Sequence, residues 1–453
     1  MDKSPNLNSL LRKYDIPVPR YTSYPTVPYW SETPSAETWI QHINTTLNQE
    51  NSTWSMYIHI PYCESLCTFC GCNNIITKNH SHESHYVELL IKEWSIYKKN
   101  VPHLLKKLLK QLHLGGGTPT FLSRESLIQL LSSILKDLKI DQDFEGSIEV
   151  DPRKTSREQL VALKEMGFNR VSMGVQDFNS EVQRLINRIQ PYDITKNLTL
   201  AAREIGYTSV NYDLIYGLAK QTVESFSDTI KKTIELRPDR IALYSFALVP
   251  WIKPAQRLFK DEDLPTAEEK RSLYELARAE LIKNGYVEVG MDHFALENEN
   301  LVKALKNKSL HRNFMGYTDH RTDVLIGLGV SSISETPYSF HQNEKVVNLY
   351  EASLNEEKIP THRGHILSEE DRTRREQILK FITQYQVELL NQEQIDNAKT
   401  YLKEMLQDDL VHLEKNILTL TEKGKPFLRN ACSFFDEHLK RKQPTMNTFS
   451  KSI

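Results

Sequence analysis

Four of the chain's five cysteines, Cys63, Cys67, Cys70 and Cys72, fall within ten residues, and only Cys432 lies elsewhere. A disulfide framework would be spread through a small secreted chain, whereas a tight thiol cluster in a chain of 453 residues points to metal or redox chemistry. The run Cys63-Glu-Ser-Leu-Cys67-Thr-Phe-Cys70 has CxxxCxxC spacing. Iron–sulfur clusters are held by cysteine thiolates, normally one for each iron of a cubane. Three thiolates leave one iron open, and an open coordination position separates a catalytic metal from a structural one. Two other readings use the same residues: a zinc site that recruits Cys72, and a closed four-thiolate electron-transfer cluster. Zinc sites usually pair CxxC with a second, distant pair, and this sequence has none.

Other residues with chemical potential recur in a fixed phase. The cysteines follow the first predicted strand, Gly115-Gly116-Gly117-Thr118-Pro119-Thr120 follows the second, and Glu149 closes the third. Gln176 follows the fourth, Asp213 lies in the fifth, and Ala247 follows the sixth. The carboxyl ends of parallel strands share one face, where βα barrels build their active sites. Side chains that merely cap helices or pair with neighbours would show no such phase. The glycine run is not a Walker loop, because GxxxxGK[ST] is absent; it serves either a tight turn or close backbone approach to a polar ligand. Glu149 and Asp213 read as capping or paired carboxylates, or as acceptors for ribose hydroxyls. Gln176 and Arg188 read as surface groups, or as recognition of a ligand carboxylate, for which arginine offers a two-pronged fork. His80, His82, Glu83 and His85 form a patch at the polar start of a predicted helix and read as a solvated turn rather than a metal site.

The elements that would position these residues are visible as an alternation. Strand candidates are Met56 to Ile60, Gln111 to Leu114, Ser147 to Val150, Arg170 to Met173, Ser209 to Leu214 and Arg240 to Phe246. Amphipathic stretches lie between them near 83 to 99, 124 to 138, 156 to 166, 178 to 205 and 222 to 236. Six βα units in a row imply a parallel sheet. With right-handed crossovers and mostly apolar strands, that sheet is expected to be covered by helices and to curl into a full or partial barrel. Ahead of it, Ile16-Pro17-Val18-Pro19-Arg20-Tyr21-Thr22-Ser23-Tyr24-Pro25-Thr26 resists helix formation and reads as an ordered arm that packs on something. Behind it come a long helix from Thr266 to Lys283 and a glycine-containing region through Ile333. From about 341 polar helical segments follow, with a hairpin over Leu410 to Leu420 turning at Lys415-Asn416 between helices near 391 to 407 and 423 to 441. The expected organisation is an extended arm over 1–50, a catalytic barrel over 51–340 and a mainly helical, winged-helix-like domain over 341–453.

Composition narrows the classes. Lys+Arg number 57 against 59 Asp+Glu, a formal charge of −2, and no basic recognition helix accompanies the terminal hairpin, so no nucleic-acid partner is expected. No apolar run reaches ~18 residues, and the first turns mix charges, so a cytoplasmic chain without a membrane span is expected.

The motifs resemble those of radical S-adenosylmethionine (SAM) enzymes. Tyr57-Ile-His-Ile-Pro61 leads into CxxxCxxC and Gly71-Cys72-Asn73; GGGTPT, Ile148-Glu149-Val150-Asp151-Pro152 and Ser172-Met-Gly-Val-Gln176-Asp177 follow. Within that superfamily the chain is similar to the oxygen-independent coproporphyrinogen III dehydrogenases of haem biosynthesis. The likeness extends to Pro19-Arg-Tyr-Thr-Ser-Tyr-Pro25-Thr, Asp213-Leu-Ile-Tyr-Gly217-Leu, Gly290-Met-Asp-His-Phe-Ala295, His311-Arg-Asn-Phe and Leu428-Arg-Asn-Ala-Cys-Ser-Phe-Phe-Asp436. It covers essentially the whole chain.

The resemblance implies a partial (βα)6 barrel in which Cys63, Cys67 and Cys70 hold one four-iron, four-sulfur (4Fe-4S) cluster. Two SAM molecules are implied. Tyr57, Gly116, Glu149 and Ile333 match contacts to the first; Phe69, Gly117, Thr118, Gln176, Arg188, Asp213 and Ala247 match contacts to the second. The implied activity is hydrogen abstraction by a 5'-deoxyadenosyl radical from two propionates of coproporphyrinogen III, followed by decarboxylation to the vinyl groups of protoporphyrinogen IX. A flavodoxin- or ferredoxin-type electron donor, an unidentified acceptor and a monomeric state come with it. Arg20, Lys253, Arg257 and Arg312 are candidates for the substrate's four carboxylates. The sequence departs from the family at Leu248, where many members have His, and at Thr318-Asp-His-Arg-Thr-Asp323. A competing reading, a haem-binding chaperone related to the family but without decarboxylase activity, is opposed by the arm and by Gly71-Cys72-Asn73.

Overall fold

A computed structural model describes residues 7–442, 449 and 450; the outer ends of the expected arm and of the expected C-terminal domain lie outside them. The six expected strands form as β1 (Trp54–Ile60), β2 (Leu108–Gly116), β3 (Lys139–Val150), β4 (Phe168–Gln176), β5 (Ser209–Tyr216) and β6 (Arg240–Ser245). Each pairs in parallel with the next. Their residues alternate in character. Leu112, Leu114, Ile148, Val171, Val210, Tyr212, Ile241 and Leu243 are fully buried in one core with helix residues such as Leu130, Leu160 and Ile230. Between them His113, Ser147, Arg170, Ser172, Asn211, Asp213 and Arg240 turn inward and line a cavity. The expectation of mostly apolar strands therefore holds on one face only, since period-two alternation sends every second side chain to a polar interior.

Further strands extend this sheet: β7 (Tyr286–Val289), β8 (His293–Leu296), β9 (Val324–Leu328), β10 (Ile333–Glu335), β11 (Ser339–Asn343) and β12 (Thr361–Ile366). The order is β12-β11-β10-β9-β1-β2-β3-β4-β5-β6-β8-β7. Strand β9 is parallel to β1, and the remaining additions are antiparallel. Among the described residues no pairing joins β7 to β12, so the barrel is partial. The sheet also runs across residue 341, because Ser339-Phe-His-Gln-Asn is buried despite its polarity and pairs with β12.

Helices His82–Asn100, Arg124–Leu135, Arg157–Glu165, Tyr192–Ile205, Val223–Leu236 and Ala267–Lys283 follow β1 to β6. Ser156, Thr222 and Thr266 each open one of them with a reciprocal capping box. The single helix expected over 178–205 is instead Ser180–Leu185 and Tyr192–Ile205. Pro191 disfavours helix in its predecessor and starts the second helix, and Asn187 is left-handed at φ 53°. That interruption turns Arg188 inward.

The arm is less extended than expected, because helices Leu7–Tyr14 and Ala36–Leu47 flank its proline-rich centre. Leu10, Leu11, Tyr14, Tyr21 and Tyr24 join a second core with Ile378, Phe381, Leu418, Phe427 and Phe435 of the C-terminal region. There, helices Glu369–Gln384, Gln392–Tyr401 and Lys403–Gln407 pack on a three-stranded sheet that contains the expected hairpin, Val411–Glu414 with Ile417–Leu420. Two short helices, Leu428–Cys432 and Glu437–Arg441, with single turns before each, replace the one last helix expected. Among the described residues no helix is long and apolar enough to cross a membrane.

Candidate active site

The cysteine run leaves β1 at Pro61 and is pinned by backbone bonds, Ile75 N–H donating to Pro61 O at 2.7 Å and Thr77 N–H to Cys63 O at 2.9 Å. Thr68 N–H donates to Ile186 O at 3.1 Å, and Asn187 Nδ2 to Leu66 O at 2.7 Å, so the broken helix holds the loop from outside. All five cysteines are free thiols. Polar groups surround the sulfurs: Thr118 Oγ1 lies 3.3 Å from Cys63 Sγ, and Asn74 Nδ2 donates to Cys70 Sγ at 3.5 Å. Arg153 Nη2 and Arg188 Nη1 reach Cys67 Sγ at 3.9 and 3.7 Å. Burial pushes Cys63 up to about 11, while a hydrogen bond from Cys72 holds Cys70 below the ordinary thiol range. Three free sulfurs on one cavity, with N–H donors aimed at them, form a donor set that suits a thiolate-held iron–sulfur cluster.

The cavity has a volume of about 550 Å³ and lies at the carboxyl ends of β1 to β6. The four clustered cysteines, Phe69, Gly116, Gly117, Thr118, Glu149, Gln176, Arg188, Asp213 and Ala247 all line it. Tyr57 and Ile333 do not. Tyr57 stands just behind, since a Cβ on Gly115 would lie 2.9 Å from its ring and 3.1 Å from Glu149 Oε2. Ile333 sits in β10 against the cluster of Trp30, Phe340 and Leu367. Gly117 is fixed by close approach: its N–H donates to Ile60 O at 2.8 Å, and a Cβ there would meet Pro61 O at 2.6 Å. Gln176 ends β4 with φ 67°, a backbone conformation that costs a non-glycine residue energy and recurs at functional sites.

The two carboxylates are pushed apart. Burial raises Glu149, but the hydrogen bond and charge of His113, 3.3 Å away, together with the Gly116 N–H at 3.2 Å, bring it below its ordinary value. Its side chain keeps 45% of its surface open, and that opening faces the cavity. Asp213 is raised to about 6, first by burial and then by the charge of Glu149, against hydrogen bonds from Ser172 and Asn211 at 3.1 and 2.9 Å. Near neutral pH Glu149 is an acceptor, and Asp213 is poised to exchange a proton.

Arg188 differs from the free fork its residue type suggested. It donates to Gly174 O at 2.7 Å, Gln190 Oε1 at 3.1 Å and Asp151 Oδ2 at 3.2 Å, besides Cys67 Sγ. Arg153 shares Asp151, at 2.7 Å. Asp151 and Arg153 were missed as site residues, although Asp151-Pro152-Arg153 follows β3 in the same phase as the others.

Of the four cations considered for a polyanionic substrate, Arg20 lines the cavity and donates to Ser245 O at 3.1 Å. Arg312 is buried beside it, donating to Arg20 O at 2.9 Å, and its Nε has no hydrogen-bond partner among the described residues. Lys253 donates to Cys72 O at 2.6 Å, and Arg257 to Pro250 O at 3.3 Å, away from the cavity lining. Leu248 packs in a small apolar cluster with Phe69, Ile215 and Phe246. Residues 318–323 run into the start of β9, at the opposite end of the sheet from the cysteines. In the histidine patch, His80 stacks on Phe121 at 4.2 Å and bonds to Glu83, which accepts from Ser123 N–H at 2.7 Å, while His80, His82 and His85 all stay exposed, as the expected solvated turn requires.

Residues 57–233 match the Radical SAM superfamily model. The oxygen-independent coproporphyrinogen III oxidases of Escherichia coli and Pseudomonas aeruginosa are 38% and 36% identical to this chain, each alignment covering 98% of both sequences. The solved coproporphyrinogen III oxidase of Escherichia coli, described as a radical SAM enzyme, superposes with a TM-score of 0.89 at 38% identity, covering 96% of this chain and 100% of that one.

Proposed function

The chain belongs to the oxygen-independent coproporphyrinogen III oxidase family of the radical SAM superfamily, and from this premise we propose that it converts two propionate side chains of coproporphyrinogen III to vinyl groups, giving protoporphyrinogen IX. When bound, the cluster and SAM supply the one-electron chemistry that removes hydrogen from carbon. The chain supplies ligands, orientation and shelter. Cys63, Cys67 and Cys70 hold the 4Fe-4S cluster; Arg153 and Arg188, donating to Cys67, offset its negative charge. In our reading two SAM molecules bind. Tyr57, Gly116, Glu149 and Ile333 serve the first, with ionised Glu149 accepting its N–H or O–H donors. Phe69, Gly117, Thr118, Gln176, Arg188, Asp213 and Ala247 serve the second, with Arg188 acting through Asp151 and Gly174 as much as through its fork. Each substrate propionate loses a hydrogen atom, carbon dioxide and one electron, the electron passing to an acceptor not yet identified. Arg20 and Arg312 offer positive charge to the remaining carboxylates. A flavodoxin- or ferredoxin-type donor, a monomeric chain and a cytoplasmic setting complete the reading.

The observation that carries it is the convergence of three free thiols, a depressed and an elevated carboxylate, and Arg20 on one cavity at the carboxyl ends of the strands. The test is anaerobic turnover of coproporphyrinogen III with a reductant, following vinyl product and methionine together. The expected result is about two methionines per protoporphyrinogen, one for each propionate. Stoichiometric haem binding without vinyl product would overturn it in favour of the chaperone.

A further inference from the structure

Outside the cavity that the cysteines line, His365 of β12, Asp371 in the first turn of helix Glu369–Gln384 and His438 of the last short helix bring three ligand-type groups to one point. Their ligating atoms all lie within 4.8 Å of one another. His438 Nε2 lies 2.7 Å from Asp371 Oδ1, and His365 Nε2 lies 3.0 Å from Asp371 Oδ2. The carboxylate between them is 4% exposed. Ser368 orients it further, its backbone N–H and Oγ–H donating to Oδ2 at 3.0 and 2.8 Å. From these contacts we propose that His365, Asp371 and His438 form a binding site for one divalent transition-metal ion of the zinc class, separate from the cluster and independent of the reaction assigned above.

The chemistry follows from the donor set. Two imidazoles with one carboxylate suit zinc-class ions, whereas magnesium and calcium prefer all-oxygen sites. A neutral imidazole carries its proton on either nitrogen, so with the proton on Nδ1 both Nε2 lone pairs face the carboxylate oxygens. Ligands about 2.0–2.2 Å from a zinc ion lie roughly 3–3.5 Å from one another, close to the spacings seen between the imidazoles and the carboxylate. Ser368 fills the supporting role that carboxylate ligands normally require.

The site would act as a clasp. It ties the edge strand of the catalytic sheet to the C-terminal region, and the N-terminal arm meets it too. Ser31 and Gly364 exchange backbone hydrogen bonds of 2.9 and 2.8 Å next to His365, and the rings of Tyr24 and Tyr29 lie 5.8 and 5.6 Å from that of His438. Nothing else cross-links these three segments covalently or through a metal among the described residues.

The test uses full-length protein with its cluster already loaded, so that Cys63, Cys67 and Cys70 are not free to take zinc. After equilibration with zinc and gel filtration, metal analysis should give one zinc per chain beside undiminished iron, and zinc-edge absorption spectroscopy should show only nitrogen and oxygen ligands. His365→Gln and His438→Gln should each weaken zinc binding at least about tenfold without loss of iron. Sulfur in the zinc coordination sphere, no retained zinc, or zinc binding unchanged in both variants would overturn the proposal. The spectroscopic arm uses the unaltered protein, so misfolding of a variant cannot mask the answer.

Discussion

At the level of single residues, the elevated Asp213 couples pH to stability. Its native value is about 6 against an ordinary 3.8, so between those values the native chain holds a proton that the unfolded chain has released. Stability therefore falls as pH rises from about 4 to 6, and the cost is fully present above 6. Partial contact with solvent moderates it to the order of 1–3 kcal/mol. Asp213→Asn should raise the melting temperature of the cofactor-free protein at pH 7 to 8, flatten its dependence between pH 4 and 6, and abolish turnover. A lower melting temperature at pH 7 would contradict this account. The cysteines give a second expectation. Alanine at Cys63, Cys67 or Cys70 should remove the cluster, whereas Cys72→Ser should keep the iron and its spectral response to SAM, because a fourth thiolate ligand would leave no iron open. Iron analysis of the four variants separates the open cluster from the closed one. Most of these residues were legible in the sequence because chemistry of this kind needs particular side chains in strand phase. The commitment of Arg188 to Asp151 and Gly174 was not, since hydrogen-bond partners depend on the broken helix around Pro191.

At the level of elements, the site depends on how β2 meets the loop after β1. The Gly117 N–H bonds to Ile60 O, and its missing side chain lets Pro61 O approach. Gly117→Ala would drive a methyl group into backbone that leads directly to Cys63, a cost of about 1–3 kcal/mol if the loop yields. The expected outcome is a lower melting temperature and iron that leaks on gel filtration, while the far-ultraviolet circular dichroism is unchanged. Full iron retention would mean that the close approach does not position the cysteines. Six strands and most of the helices between them were readable from apolar periodicity. Strands β10 to β12 were not, because Ser339–Asn343 is polar yet buried and Thr361–Ile366 exposes much of its length. Their burial comes from pairing and from the arm, and a local pattern carries neither. The inward polar residues of β2 to β6 were readable in principle as every second position, a signal obscured by the expectation of apolar strands.

At the level of the whole molecule, the arm and the β7–β8 pair both link the sheet's core to the C-terminal one, Tyr286 and Phe294 lying in the first and Val289 and Ala295 in the second. The arm's Tyr21 and Tyr24 pack with the C-terminal cluster, and Arg429 donates to Pro19 O at 3.1 Å, while Arg20 projects into the cavity lined by the cysteines. The cysteine run, by contrast, follows β1, and the buried core around that strand takes no described arm residue before Trp39, with Ala36 only partly buried against it. Loss of the arm should therefore separate two properties that loss of the barrel would remove together. A chain beginning at Thr26 should retain its iron and the spectral response to SAM, because Pro61, Gly117 and the loop around Thr68 remain anchored by the barrel. It should melt earlier, since Tyr21, Tyr24 and the helix before them leave apolar surface uncovered on the C-terminal region. Turnover of coproporphyrinogen III should fall at least about a hundredfold, the order expected when a charged contact of roughly 3 kcal/mol is lost together with the cover that excludes water. Arg20→Gln in the full chain isolates the charge: it should raise KM for the substrate while leaving iron content and melting temperature near those of the parent. Equal turnover by the shortened and full chains would show that the arm serves stability alone, and a shortened chain without iron would show that the two cores do not hold their parts independently.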